Sequence, residues 1–387
     1  MALRLSLVLA ALSYGLAVLA LLVDTTHRET KRACSTIRKT AISVATKLQT
    51  SHFSSALGYY EGNIEWTDAN TIEDIYNLMH LSNVSTWRDL IYQTQIGQLG
   101  LAHLDLWDFF FNGSFDDAGW TLLLFIRFRD FIGPKDGNFQ YFETSTYQVY
   151  DYIVGEYTSD CGGGVWWSRA RNYKNTITNA LFMHISAAMY IRHRDTPGYL
   201  QNAIDTWKWL AGSGLRDKDH LWFDGLRRCQ VSDRRKWTYN QGVIASGLGL
   251  LYAATGNKTY LTEAEKTLDA AIDFMTVNGI LKEVCDDATQ STCDEDQLIF
   301  KGIFTKHLQY YIDQAGRAAR DKYSVFLSVQ SSAVYFYSTG ADNAKDPGSV
   351  WYHQDNGGSI YTPRSIASGL EAHIAAAKVG LNFSPLQ

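Results

Sequence analysis

The sequence predicts an all-α protein, a closed ring of six helical hairpins forming an (α/α)6 toroid. Three observations carry this reading. Proline is scarce, 5 residues in 387, so long helices escape the lost donor and the steric clash that proline brings. A hairpin unit repeats without gaps at a shift of 61 positions: Asn179-Ala-Leu-Phe-Met with Tyr199-Leu200-Gln-Asn-Ala203 matches Asn240-Gln-Gly-Val-Ile with Tyr260-Leu261-Thr-Glu-Ala264. Polar and aromatic clusters sit at the starts of the first helices. Those starts converge on one mouth in a ring but not in an open solenoid, the usual outcome for repeats of this size.

In chain order, first helices are expected near Trp66, Asp117, Asn175, Asn240, Lys301 and Pro363. Second helices follow near Trp87, Tyr141, Tyr199, Tyr260 and Asp321, and Ser35 to Leu57 supplies the twelfth. In the repeated unit a polar opening leads into an apolar helix rich in small residues. A turn follows (Asp195-Thr-Pro-Gly198; Thr255-Gly-Asn-Lys258), and an amphipathic helix with apolar residues at three- and four-residue spacing closes the unit. The Gly/Ala-rich helices should pack inside and the Tyr-Leu-x-x-Ala helices outside. No Pro/Ser linker or charge run divides the chain, so residues 35–387 read as one domain.

Composition narrows the function. With 35 Lys and Arg against 40 Asp and Glu, net −5, a basic nucleic-acid footprint is absent. Hydrophobic residues make up 46%, too many for a disordered chain. The 11 Trp, 23 Tyr and 18 Phe either fill a large core or bind sugar rings. Arg4 followed by the apolar run Leu5 to Val23 predicts a signal peptide over residues 1–22, with an uncleaved anchor as the alternative. The expected product is a secreted, extracellular monomer without stable membrane association, and the short polar C-terminus argues against a GPI tail. Sequons at Asn83, Asn112, Asn257 and Asn382 fit such a glycoprotein. In an oxidising compartment five cysteines favour disulfides. Cys285 pairs with Cys293 across a short acidic loop, Cys161 with Cys229 is next, and Cys34 is left over.

Chemistry is sparse. There is no G-x-S-x-G elbow, H-E-x-x-H zinc motif or phosphate-binding loop. His184 and His307 read as core or pore-lining. The acidic loop Cys285 to Asp296 lacks the alternating ligand order of a calcium loop and reads as a solvated, disulfide-pinned turn. No metal or cofactor is expected. What remains is Asp116-Asp117. Ser114-x-x-Asp117 fits a helix capping box. The other reading is a carboxylate pair for glycoside hydrolysis, one group donating a proton and the other acting as nucleophile or base. Adjacent Cα atoms lie about 3.8 Å apart, so the side chains can reach the short separation that a retaining enzyme needs, and a charged neighbour raises the pKa of its partner.

An ordered set of motifs resembles glycoside hydrolase family 76, the endo-α-1,6-mannanases. The set is Trp66-x-x-Ala69-Asn70, Phe115-Asp-Asp-Ala-Gly-Trp120, Cys161-Gly-Gly-Gly-Val-Trp-Trp167, Tyr173-Lys-Asn-Thr-Ile-Thr-Asn179, Trp237-Thr-Tyr-Asn-Gln-Gly242 and Phe300-Lys-Gly-Ile-Phe304. The resemblance implies an (α/α)6 fold and a retaining reaction in which Asp116 is nucleophile and Asp117 general acid/base. It implies α-1,6-linked mannan or mannooligosaccharide as partner. Transglycosylation of mannan or GPI glycans in cell-wall assembly, and mannan binding without turnover, are the alternatives. Sugar contacts are then expected from Asn70, Trp120, Trp166, Trp167, Asn175, Asn179, Trp237, Tyr239, Asn240 and Gln241, each amide having helix capping as its bland alternative. The family commonly carries Tyr-Asp-Asp-Glu-Gly-Trp-Trp, whereas this chain has Ala118 and Thr121 at the Glu and second Trp positions.

Overall fold

The computed structural model describes residues 36–62, 64–102, 105–339 and 346–379. Cys34, Asn382 and the N-terminal apolar run lie outside them. Six long helices form the inner ring: α2 (Glu65–Ser82), α5 (Phe115–Ile132), α7 (Thr176–Arg192), α9 (Thr238–Thr255), α11 (Phe300–Ala315) and α13 (Pro363–Val379). Each packs on the next, and α13 returns to α2, which closes the ring. The first helices begin where the sequence places them. The apolar residues of all six are buried nearly all round, as helices with neighbours on every side must be.

The outer layer is α1 (residues 36–52), the short α3 (Gln95–Ala102), α6 (Phe139–Val154), α8 (Pro197–Gly212), α10 (Thr259–Phe274) and α12 (Arg317–Ala333). These bury one face only; α10, for example, buries Ala264, Thr267, Leu268, Ala270 and Ala271. Pro197 and Pro363 open α8 and α13, positions where the missing donor costs nothing, so among the described residues no helix has a proline inside it. Gly302 sets the closest inner packing: a Cβ there would lie 2.4 Å from the Cα of Ser368 on α13.

The hairpin begun by α2 departs from expectation. No helix begins near Trp87. Asn83 ends α2 in the left-handed region, φ 56°, and a 3-10 turn over Leu90–Gln93 precedes α3. The Tyr76 hydroxyl holds that turn, donating to the Arg88 carbonyl at 2.9 Å and accepting from Ile91 N–H at 3.2 Å. The helix expected near Asp321 starts earlier, after Gly316.

The inner helices all run the same way, so their N-termini share one end of the barrel. Short strands decorate that end: β1 (Phe53–Ser54) with β2 (Tyr59–Tyr60), then β3 (Lys174–Asn175), β4 (Gly225–Arg227) and β5 (Gln230–Asp233) in one antiparallel sheet, and β6 (Thr276–Val277) with β7 (Ile280–Leu281). Disulfides join Cys161 to Cys229 and Cys285 to Cys293, as the sequence suggested. Among the described residues no helix is long and apolar enough to cross a membrane.

Candidate active site

At the N-terminal end of the inner helices lies a cleft of about 700 Å3. The short helix α4 (Trp107–Phe111) leads into it through Asn112, φ 47°, and Gly113, φ 79°, and Ser114 then begins α5. This double left-handed turn presents Asp116 and Asp117 in the first turn of α5. The capping reading fails, because Ser114 makes no side-chain cap. Its hydroxyl instead donates to Asp116 Oδ1 at 2.7 Å. The indole N–H of Trp167 donates to Asp116 Oδ2 at 3.0 Å.

Trp167 is held by its backbone. Its N–H donates to the Tyr173 carbonyl at 2.9 Å, and its carbonyl accepts from Phe115 N–H at 3.0 Å. Behind it, the buried Lys174 ammonium donates to the carbonyls of Asp160, Gly163 and Gly164 at 2.6, 2.6 and 2.8 Å. Gly164 has φ 85° and its missing Cβ would meet the Trp209 ring at 2.7 Å, so only glycine lets the loop turn there.

Aromatic rings form the floor. Tyr239 and Phe300 stack at 3.9 Å, Trp66 lies 6.0 Å from Trp120, and Trp237 meets Phe300 edge-on at 5.5 Å. One wall carries Asp224, Arg227, Asp233 and Arg235, with the Tyr173 hydroxyl donating to Asp224 at 2.5 Å and Arg235 paired with Asp233. The facing wall carries Asp294, Asp296 and Gln297.

Burial dominates the electrostatics. It raises the Asp116 carboxyl to about 6, with the Ser114 and Trp167 hydrogen bonds opposing. Burial, then repulsion from Asp116, pushes Asp117 well above the usual carboxylate range. Among the described residues no Lys or Arg forms an ion pair with either. Burial thus holds both carboxyls above the usual carboxylate range, and the charge of Asp116 raises its neighbour further.

Of the residues expected to meet sugar, Trp120, Trp167, Asn175, Trp237 and Tyr239 line the cleft with the two aspartates. Five others do not, and the expectation is corrected for each. Asn70 is buried on α2, donating to the Trp66 carbonyl and accepting from Lys306. Trp166 turns inward beneath the Lys174 ammonium. Asn179 clamps Val165 through both its N–H and its carbonyl, and Gln241 clamps Trp222 in the same way. Asn240 is fully buried and meets the cleft only through Asp224. Buried loop backbone needs partners more than the open cleft does, and Asn179 and Gln241 supply them. The acidic loop is also less solvated than expected: Asp286 is buried in an ion pair with Lys301. Cys285, Asp286 and Cys293 cluster within 4.8 Å, but the two sulfurs are bonded to each other and offer no thiolate. Sequence reasoning missed Asp224, Asp233, Asp294, Asp296, Arg227 and Arg235. They sit in loops, in the short strands β4 and β5 and at the start of a 3-10 turn, with no periodicity or motif to mark them.

The sequence profile described as glycosyl hydrolase family 76 matches residues 29–381. The chain belongs to glycosyl hydrolase family 76. It is 27% identical over 353 residues to mannan endo-1,6-alpha-mannosidase DFG5 of Saccharomyces cerevisiae, an alignment covering 84% of this chain and 75% of the relative. It is 28% identical to mannan endo-1,6-alpha-mannosidase DCW1 of Candida albicans, across 51% of this chain and 46% of the relative, so it spans about half the length of that protein. The fold matches the family 76 α-1,6-mannanase of Salegentibacter sp. HEL1_6 with a TM-score of 0.74 at 18% identity, covering 89% of this chain and 99% of that one. That structure is of a variant inactivated at two successive aspartates, in complex with α-1,6-mannotriose. As a family 76 member this chain is a glycoside hydrolase. Its (α/α)6 barrel holds the aspartate pair at the cleft end.

Proposed function

We propose that this family 76 enzyme is a secreted, extracellular endo-α-1,6-mannosidase that cleaves the α-1,6-mannan backbone with retention of configuration. The observation that carries the reading is the adjacent pair Asp116 and Asp117 in an aromatic-floored cleft, their carboxyls raised by burial and by each other. The mannooligosaccharide complex of the Salegentibacter enzyme and the names of the fungal relatives support mannan as substrate.

Asp116 attacks the anomeric carbon as Asp117 delivers its proton to the departing glycosidic oxygen, which leaves on the shortened chain. Asp117, now a carboxylate, takes a proton from water, whose oxygen displaces Asp116 from the sugar. Two hydrogen bonds fix and stabilise the Asp116 carboxylate, and the like charge beside Asp117 keeps its proton on. Trp120, Trp167, Trp237 and Tyr239 supply ring faces, and Asn175 with Asp224 supplies polar partners for hydroxyls. None of these steps needs a metal.

Product analysis on unbranched α-1,6-mannan tests this. Shorter chains with retained anomeric configuration are expected. Rearranged chains of unchanged mean length would convert the reading to transglycosylation, and unaltered mannan would overturn it.

A further inference from the structure

Three of the four sequons fall on described residues, at Asn83, Asn112 and Asn257. Asn83 caps the C-terminus of α2 and Asn257 follows Gly256 at the C-terminus of α9, so both lie at the end of the barrel remote from the cleft. Asn112 is exposed and lines the cleft itself, between Phe111 and Ser114. Its φ of 47° is a conformation that asparagine tolerates better than most residues. The serine hydroxyl that completes the sequon is the one that donates to Asp116. The exposed Phe109, 88% accessible, and Phe110 on the cleft wall flank the site, offering apolar faces to a sugar.

We propose that Asn112 carries an N-linked glycan that acts as a tethered competitor for the cleft. This rests on the secreted α-1,6-mannosidase reading. In the modification, Asn112 Nδ2 bonds to the anomeric carbon of a lipid-pyrophosphate-linked oligosaccharide supplied by the host cell. The bond from that carbon to pyrophosphate oxygen breaks, and the amide gives up one proton. The glycan displays α-linked mannose, including an α-1,6 branch, and is anchored two residues from Ser114. A short flexible tether gives an effective concentration on the order of mM, enough to hold mannose-binding positions against free mannan of modest affinity. Glycans on Asn83 and Asn257 sit at the remote end and leave binding unaffected.

The test uses protein secreted from a glycosylating host, in an Asp117→Asn background so that sugar is not consumed. Peptide mapping should find Asn112 occupied. α-1,6-Mannotriose should then bind several-fold tighter by calorimetry once an endoglycosidase has trimmed the glycans to one sugar. Asn112→Gly, which keeps the left-handed backbone without strain, should reproduce that gain. Asn83→Gln and Asn257→Gln should not. An unmodified Asn112, or equal affinity before and after complete trimming, overturns the proposal. If no form binds mannotriose although Asn112 is occupied, the mannan reading fails and the competitor role fails with it.

Discussion

Buried carboxylates at two places in this barrel invite comparison, because burial raises a member of each to about 6: Asp116 at the cleft and Asp74 on the barrel axis. Their partners differ. On the axis, Lys306 lies 2.8 Å from Asp74 and 2.9 Å from Glu73, with Asn70 also accepting from it. The Tyr310 hydroxyl donates to Glu73 at 2.8 Å, and Glu371, pushed well up by burial, leans on Asp74. At the cleft, Asp116 has only neutral donors and Asp117 has a like charge beside it. A shifted carboxyl therefore does not mark a catalytic site by itself. A carboxyl that is shifted, lacks a cation and opens to a cleft is the candidate for chemistry, because such a group is free to exchange a proton or attack a substrate. Beyond the axis cluster a smaller cavity of about 220 Å3, lined by Glu73, Arg127, His184 and Tyr310, reaches the remote end. There Ser246 bridges His184 and His307 at 2.9 and 2.7 Å, and burial pushes His184 down to about 3. These are neutral core histidines.

The contrast can be broken experimentally. Its largest expected effect is on turnover. Asp117→Asn should lower kcat by about 10²–10⁴-fold, the range for general acid catalysis, and Asp116→Asn should abolish detectable cleavage; full activity in both would remove the site assignment. Neither change should destabilise the fold, as urea melts would check. Lys306→Met should do the reverse, costing about 3–5 kcal/mol of stability by stranding buried carboxylates, read as a lower urea midpoint. A Lys306→Met protein as stable as the parent would mean that the axis carboxyls are protonated and need no cation.

A smaller effect sharpens the role of Trp167. Trp167→Phe keeps the ring and removes the N–H donated to Asp116. A charge-assisted hydrogen bond contributes about 1.5–3 kcal/mol, so activity should fall about tenfold or more. The acidic limb of the pH profile should also move upward, because losing the bond raises the Asp116 pKa. In the parent that limb should fall as pH drops through about 6. The smallest effect is on stability against pH. The folded pKa of Asp117 lies above its unfolded value, so the folded state holds the extra proton. Its contribution is fully present below the unfolded pKa and is lost as pH rises through the folded one. Asp117→Asn should match the parent at pH 3 and gain on it towards pH 7. A parent that gains instead would show that Asp117 is ionised in the fold.

Much was legible in the sequence. Scarce proline, the 61-position shift and the polar helix starts gave the inner ring and the cleft end, because a 3.6-residue period and its breakers are local properties. Asp116-Asp117 stood out because both members are adjacent in the chain. The amides show where that reasoning stops. Asn179 and Gln241 begin their helices as expected, yet each spends its side chain on a neighbouring loop's backbone. The opposite error occurred with Asp224, Asp233, Asp294 and Asp296, carboxylates of loops and short elements that only folding carries to the cleft.

The sequence by itself determined the inner helices, the order of the hairpins and the adjacency of Asp116 and Asp117, since these depend on residues near one another along the chain. Tertiary structure alone decided which polar residues face the cleft, which carboxylates have a cation and that burial raises both aspartates. Those outcomes depend on burial and on groups distant in sequence, and desolvation energies are set by what surrounds a charge in space.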